Sequence, residues 1–321
     1  MLLNLALILI GIGLLVYSAD RFTAGAAAIA THLNVPKIVI GLTIVAIGSS
    51  APEMFVSATA AINDAPGIAI GNALGSNIIN IAVVLGLTTV LMPLAIDSKI
   101  VTRELPLLVV VTLACGGLML DGHLGRLEGI LMLAALAAYI AWLTMVALKQ
   151  RKNDKLLEEL IEELPSQMPL WQAILWTLVG LVLLMLSSDM LVTGAAALAR
   201  AAGISELVIG LTVIAIGTSL PELAASLAAA AKREHEMVLG NIIGSNIFNL
   251  LGVIGLSAAL SPQHLEPLAL TRDLPSMVII TLLLYAMSHT TNRKSELFRW
   301  HGYLLLSMYG AYTLWLFHTY Q

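Results

Sequence analysis

Two glutamates stand in apolar surroundings, each directly after a proline: Glu53 in GLTIVAIGSSAPEMF and Glu222 in GLTVIAIGTSLPELA. A carboxylate held among apolar residues is expensive, and in a membrane-spanning stretch it marks a functional site by default. Ser49 and Ser50 lie four and three residues before Glu53, so one helical face presents hydroxyls and a carboxylate together. Thr218 and Ser219 stand in the same relation to Glu222. Pro52 and Pro221 each remove a backbone donor and push away the carbonyl four residues earlier, at Gly48 and Gly217. Opened carbonyls inside a bilayer are tolerated only where they face protein, water or a ligand.

A second stripe follows each glutamate. Asn72, Ser76 and Asn80 are spaced by four in GNALGSNIIN, as are Asn241, Ser245 and Asn249 in GNIIGSNIFN. Two carboxylates with a ring of neutral oxygens are the ligands a hard cation such as calcium requires, and sodium would accept a subset. No soft ligand is nearby, which disfavours zinc and copper. Each residue type also has a structural use. Serine and glycine permit close helix packing, asparagine bonds helices together, and a buried glutamate can persist as a protonated donor. Convergence of all these residues on two matching segments favours the cation site.

The match itself is extensive. Residues 41–91 align without a gap on 210–260, at an offset of 169, with 23 identities over 51 positions. The offset holds outside that core: Asp20 matches Asp189, Gly25 matches Gly194, and TRELP at 102–106 matches TRDLP at 271–275. Duplication of a whole unit explains this better than chance hydrophobicity.

The chain is 59% hydrophobic and 11% charged, against roughly 25% charged for a soluble domain. Its apolar runs reach the ~20 residues that a bilayer crossing needs. The fold class expected is an all-α polytopic membrane protein with spans near 2–30, 38–62, 68–92, 104–121, 126–148, 170–200, 206–231, 237–260, 274–290 and 300–317. The first and sixth are long enough to tilt or to project beyond the lipid. Ten transmembrane helices divide into two five-helix repeats, 1–148 and 170–321, joined by a 149–169 linker. An odd number of spans per repeat inverts the second copy, an arrangement that places a transport site near the midplane at the repeat interface. Residues 1–16 lack a basic flank and a cleavage motif, and read as a retained span.

Basic residues orient the chain. With the N-terminus outside, twelve of the sixteen Lys and Arg fall in cytoplasmic loops and only Arg126, Arg200 and Arg272 fall outside, a strong positive-inside bias. Both termini are then periplasmic or extracellular and the linker cytoplasmic. Its LLEELIEEL string reads as a solvated acidic connector. Asp20 and Arg21 read as structural, through pairing or capping. The histidines sit at span edges without ligand spacing. The single Cys115 excludes an intrachain disulfide, and HExxH and GxSxG are missing, which argues against an enzyme.

The repeated strings GLTIVAIGSSAPE…GNALGSNIIN and GLTVIAIGTSLPE…GNIIGSNIFN closely resemble the alpha repeats of prokaryotic sodium/calcium exchangers, within the calcium/cation antiporter superfamily. The resemblance covers essentially the whole chain. It implies electrogenic exchange of calcium for sodium at a site centred on Glu53 and Glu222, in the inner membrane of a bacterium. Carried over by position, further ion ligands are Ala46, Ser49, Ser50, Ser76 and Asn80, and Ala215, Thr218, Ser219, Ser245 and Asn249. Alternating access would come from the first and sixth helices sliding across the core. Some relatives carry aspartate where this chain has Asn80 or Asn249, so the sodium stoichiometry, a potassium requirement and a proton as coupling ion all stay open. The expected partners are inorganic cations and the lipid bilayer, with no nucleic acid, no partner protein and no cofactor. A passive cation channel is the rival from another class.

Overall fold

A computed structural model describes residues 2–33, 37–62, 66–96, 100–153, 168–201, 215–289 and 295–319. The chain is mostly helical. Seven helices among the described residues are long and apolar enough to cross a membrane, the longest being Leu3–His32 and the most buried His235–Leu260. The acidic linker string LLEELIEEL, and residues 206–214 of the expected seventh span, lie outside the described residues.

The chain divides into two compact units, and each draws on both halves of the sequence. The first comprises Met1–Ser49 and Tyr139–Asn241, the second Ser50–Ala138 and Ile242–Gln321.

The first unit is built on two long helices, Leu2–His32 of 31 residues and Leu170–Ala201 of 32. At 1.5 Å per residue each spans about 46 Å, well beyond the ~30 Å hydrocarbon layer, as the sequence led one to expect. They run antiparallel with their backbones nearly touching: a Cβ on Gly180 would lie 2.8 Å from the Phe22 nitrogen, and one on Gly25 2.7 Å from the Ala173 carbonyl. Lipid tails are as apolar as leucine, so membrane helices associate through such close packing of small residues. His32 Nε2 meets the Met168 carbonyl at 2.8 Å and ties the two helix ends. The Leu220–Ala231 helix packs on Leu2–His32.

In the second unit, Ala51–Ile62 packs on Pro66–Ile79 and on the 249–260 segment. The core includes Leu74, Ile78, Ile81, Leu85, Leu105 and Leu108, all essentially buried. Two short antiparallel ribbons join loops. β1 (Leu94–Ile96) pairs with β4 (Ser295–Leu297), and β2 (His123–Leu124) with β3 (Gln263–His264). These ribbons correct the all-α expectation in detail; loop backbone between spans finds its hydrogen bonds by pairing.

The repeat is visible in the helices' irregularities. π-helical turns occupy Asn80–Leu85 and Asn249–Ile254, and again Ile100–Glu104 and Ala269–Asp273, each pair separated by 169 residues. Single π turns inside α-helices occur frequently at functional sites. A fifth lies at Gly41–Val45; its counterpart position, 210–214, is outside the described residues.

Candidate functional site

Both glutamate helices break where the prolines demand it. Ala46–Ser49 ends and Ala51–Ile62 begins across Ser50; Ala215–Thr218 ends and Leu220–Ala231 begins across Ser219. Proline is suited to the first turn of a new helix, where its missing N–H leaves no gap. Ser219 adopts φ −89° and ψ 5° at the break. Its N–H donates to the Ile216 carbonyl at 3.1 Å, and its own carbonyl accepts from Leu223 N at 3.1 Å. Ser50 accepts from Met54 N at 3.2 Å in the matching position. The expected continuous helical face is therefore replaced by two helices meeting at a serine.

In the first unit Glu222 is fully buried. Asn241 Nδ2 donates to the Glu222 backbone carbonyl at 3.3 Å and to Ser226 Oγ at 3.1 Å. Its Oδ1 accepts from Ser49 Oγ at 3.1 Å, and Ser49 also lies 3.4 Å from the Ala46 carbonyl. Ser219 Oγ is buried with no hydrogen-bond partner among the described residues. Thr218 is half-buried, and Ala46 and Ala215 open the short helices that precede the breaks.

In the second unit Glu53 is likewise fully buried. Asn72 Nδ2 donates to the Glu53 carbonyl at 3.3 Å and to Ser57 Oγ at 3.1 Å, the same lengths as its repeat counterpart. Ser76 Oγ donates to Glu53 Oε1 at 3.5 Å. Ser50 and Ser245 are buried.

The same unit contains four buried asparagines, Asn77, Asn80, Asn246 and Asn249. Asn80 Nδ2 donates to Asn246 Oδ1 at 3.4 Å, and Asn77 Nδ2 to the Asn246 carbonyl at 3.2 Å. The repeat-related bond would run from Asn249 to Asn77 and is not made. Both polar atoms of Asn249, Asn77 Oδ1, Asn80 Oδ1 and Asn246 Nδ2 have no hydrogen-bond partner among the described residues. One side-chain difference accompanies this asymmetry: Asn77 Nδ2 also points at Met277 Sδ, 3.6 Å away, where the first repeat has Leu108.

Ser50, Glu53, Ser76, Asn80, Ser245 and Asn249 thus belong to one unit, and Ala46, Ser49, Ala215, Thr218, Ser219 and Glu222 to the other. Each unit carries one of the two repeat glutamates, Glu53 or Glu222. Sequence reasoning passed over Asn77 and Asn246, and Ser57 and Ser226, although all four keep the 169 offset. Among the described residues no cluster of three or more His, Cys, Asp and Glu side chains forms, so these donors combine single carboxylates with neutral oxygens. Such sets suit hard, weakly polarising cations.

The sodium/calcium exchanger protein family matches residues 3–145 and 172–318. The chain belongs to that family. It is 46% identical over 319 residues to CaxA of Alkalimonas amylolytica, covering 99% of this chain and 100% of that protein. It is 39% identical over 318 residues to the inner membrane protein YrbG of Escherichia coli, covering 98% and 96%. The sodium-calcium exchanger NCX_Mj, in a structure soaked with 2.5 mM sodium and 0.1 mM calcium, superposes with a TM-score of 0.82. The two are 34% identical, over 96% of this chain and 97% of the other. This exchanger-family member is a multi-pass membrane protein and a transporter of cations.

Proposed function

We propose that this exchanger exports calcium against entering sodium across the bacterial inner membrane, by alternating access at a site centred on Glu53 and Glu222. One observation carries the reading most directly. Asn80 Oδ1, Asn249 Oδ1 and Ser219 Oγ, all positions derived from the repeat, are buried without hydrogen-bond partners among the described residues. A buried polar atom left unsatisfied costs about 1–3 kcal/mol, and a bound cation supplies the missing interaction. Ser49, Ser50, Ser76, Thr218 and Ser245 add hydroxyl oxygens, and Ala46 and Ala215 add backbone carbonyls next to the breaks.

Two carboxylates balance one calcium ion. Sodium ions occupying the same oxygens would compete for that charge, and alternating occupancy couples the two fluxes. The overall architecture in this proposal is ten helices in inverted repeats, 1–148 and 170–321, with the core segments 41–91 and 210–260. The 149–169 linker is cytoplasmic and both termini are external, in keeping with the distribution of Lys and Arg.

A proton is the second candidate for the coupling ion, because asparagine at 80 and 249 leaves two carboxylates in the proposed ligand set. The test is calcium uptake into sodium-loaded vesicles diluted into sodium-free buffer at constant pH. Sodium coupling predicts uptake that collapses when sodium is equal on both sides. Uptake that follows only an imposed pH gradient would replace sodium by protons. Uptake indifferent to both gradients would mean a passive pathway and refute exchange.

A further inference from the structure

Arg21 lies within the long Leu2–His32 helix, an unusual place for a guanidinium. Its Cζ sits 5.4 Å from the Tyr17 ring centroid and 5.1 Å from that of Trp176, which belongs to the antiparallel Leu170–Ala201 helix. Tyr17 and Trp176 themselves meet edge to face at 6.4 Å. The two rings hold the guanidinium through cation–π attraction without neutralising it.

The obvious counter-ion is already engaged. Asp20 Oδ1 is paired with Lys232 Nζ at 2.7 Å, and the same ammonium donates to the Asp20 backbone carbonyl at 2.7 Å. Arg21 has no carboxylate and no hydrogen-bond acceptor among the described residues, and its Nε is buried without a partner. Among the described residues no carboxylate compensates this cation, and a basic group near the headgroups attracts a ligand of opposite charge.

The level of this cation in the membrane follows from Lys232. Lys232, Arg233 and Glu234 form the turn between the helices Leu220–Ala231 and His235–Phe248, and Lys232 and Arg233 are exposed. A polar chain reversal between two apolar helices belongs at the membrane surface. Because Lys232 reaches Asp20, the next residue, Arg21, stands at that surface too. A Tyr and a Trp beside it are the residues that favour headgroup depth. Beyond Arg21 the helix continues for another ~16 Å to His32.

We propose that Arg21, braced by Tyr17 and Trp176, binds the phosphate of an anionic phospholipid headgroup. The guanidinium fork matches phosphate oxygens, and the acyl chains would lie along the exposed apolar flanks of the two long helices. Leu178, Val182 and Leu186 are more than half exposed on one of them. The bound lipid would pin together the pair of helices that the exchange reading sets in motion. The lipid site itself stands on the Arg21 geometry, whether or not that reading holds.

The experiment is native mass spectrometry of the full chain released from bilayers of phosphatidylcholine with phosphatidylglycerol. It is paired with thermal unfolding in neutral detergent on adding phosphatidylglycerol. The wild type retains phosphatidylglycerol and is stabilised by it. Arg21→Gln lowers retention roughly fivefold, about the effect of one surface cation on anionic lipid, and loses the stabilisation, while Arg21→Lys, which keeps the charge without the planar fork, restores only part of both. Undiminished retention in a folded Arg21→Gln protein would overturn the proposal. Full displacement of the lipid by inorganic phosphate would overturn it as well, by making the site one for free phosphate. If Arg21→Gln does not fold, Trp176→Leu, which removes one brace and keeps the charge, must weaken retention or the proposal fails.

Discussion

Asn72 donates its side-chain amide to the backbone carbonyl of Glu53 at 3.3 Å, and Asn241 does the same to Glu222 at the same distance. In both repeats the second amide hydrogen goes to a serine one turn further on, Ser57 or Ser226, at 3.1 Å. Each asparagine therefore fixes the depth and rotation of a glutamate helix just after its proline break. It acts on the carboxylate through the backbone.

Replacing Asn72 by Ala removes two hydrogen bonds and leaves Ser57 without this donor. The expected destabilisation is about 1–3 kcal/mol, read as a lower thermal midpoint in detergent. Calcium affinity should fall as well, because Glu53 loses its brace. Asn72→Ala with a lowered midpoint and wild-type calcium affinity would restrict the residue to packing.

The four asparagines separate stability from binding. Asn80 donates to Asn246, whereas neither polar atom of Asn249 has a partner among the described residues. Asn80→Ala should cost about 0.5–1.5 kcal/mol of stability for its lost hydrogen bond. Asn249→Ala should leave the thermal midpoint nearly unchanged or raised, and both should weaken calcium binding. Titration of the two variants followed by melting checks the contrast. Equal melting shifts would contradict the asymmetry.

Much of this was legible in the chain because duplication supplies an internal alignment. The prolines at 52 and 221 announced an opened turn in each glutamate segment, but not that one helix ends and another begins across Ser50 and Ser219. The π turns beginning at Asn80 and Asn249 were not legible. One turn of altered period is too short to disturb an apolar pattern that is continuous on all sides. Asn77 and Asn246 were overlooked for a related reason: they fall outside the spacing of four that picked out their neighbours. The short ribbons had no signal beyond loop polarity, since their partners come from distant sequence.

Two ion pairs of different burial give a stability prediction independent of transport. Arg272 and Asp273 are buried, joined at 2.7 Å, and extended by Tyr312 Oη donating to Asp273 Oδ1 at 2.9 Å and Arg272 Nη1 donating to Thr319 at 2.8 Å. Asp273→Ala removes the buried carboxylate that Arg272 and Tyr312 share and should cost about 3–5 kcal/mol. The Asp20–Lys232 pair, with side chains 54% and 31% exposed, should yield no more than about 1 kcal/mol on Asp20→Asn. Thermal unfolding of the two variants in one detergent tests the order; a larger loss for Asp20→Asn would contradict it.

The break at Ser219 invites a backbone test. Pro221→Ala returns an N–H to the first turn of the Leu220–Ala231 helix and removes the ring that disfavours closure onto Gly217. The fold should be retained with an unchanged or higher melting point, while calcium-driven exchange slows. A variant that melts normally and exchanges at the wild-type rate would show that the opened turn is dispensable.

The most direct test of the central claim is equilibrium binding of radioactive calcium to purified wild-type, Glu53→Gln and Glu222→Gln proteins, each shown to be folded and monodisperse. Substitution by glutamine keeps the shape and removes one of the two charges that balance the ion. The account predicts saturable, sodium-sensitive binding in the wild type and its loss in both variants. Wild-type calcium affinity in either folded variant would contradict a cation site centred on the two glutamates.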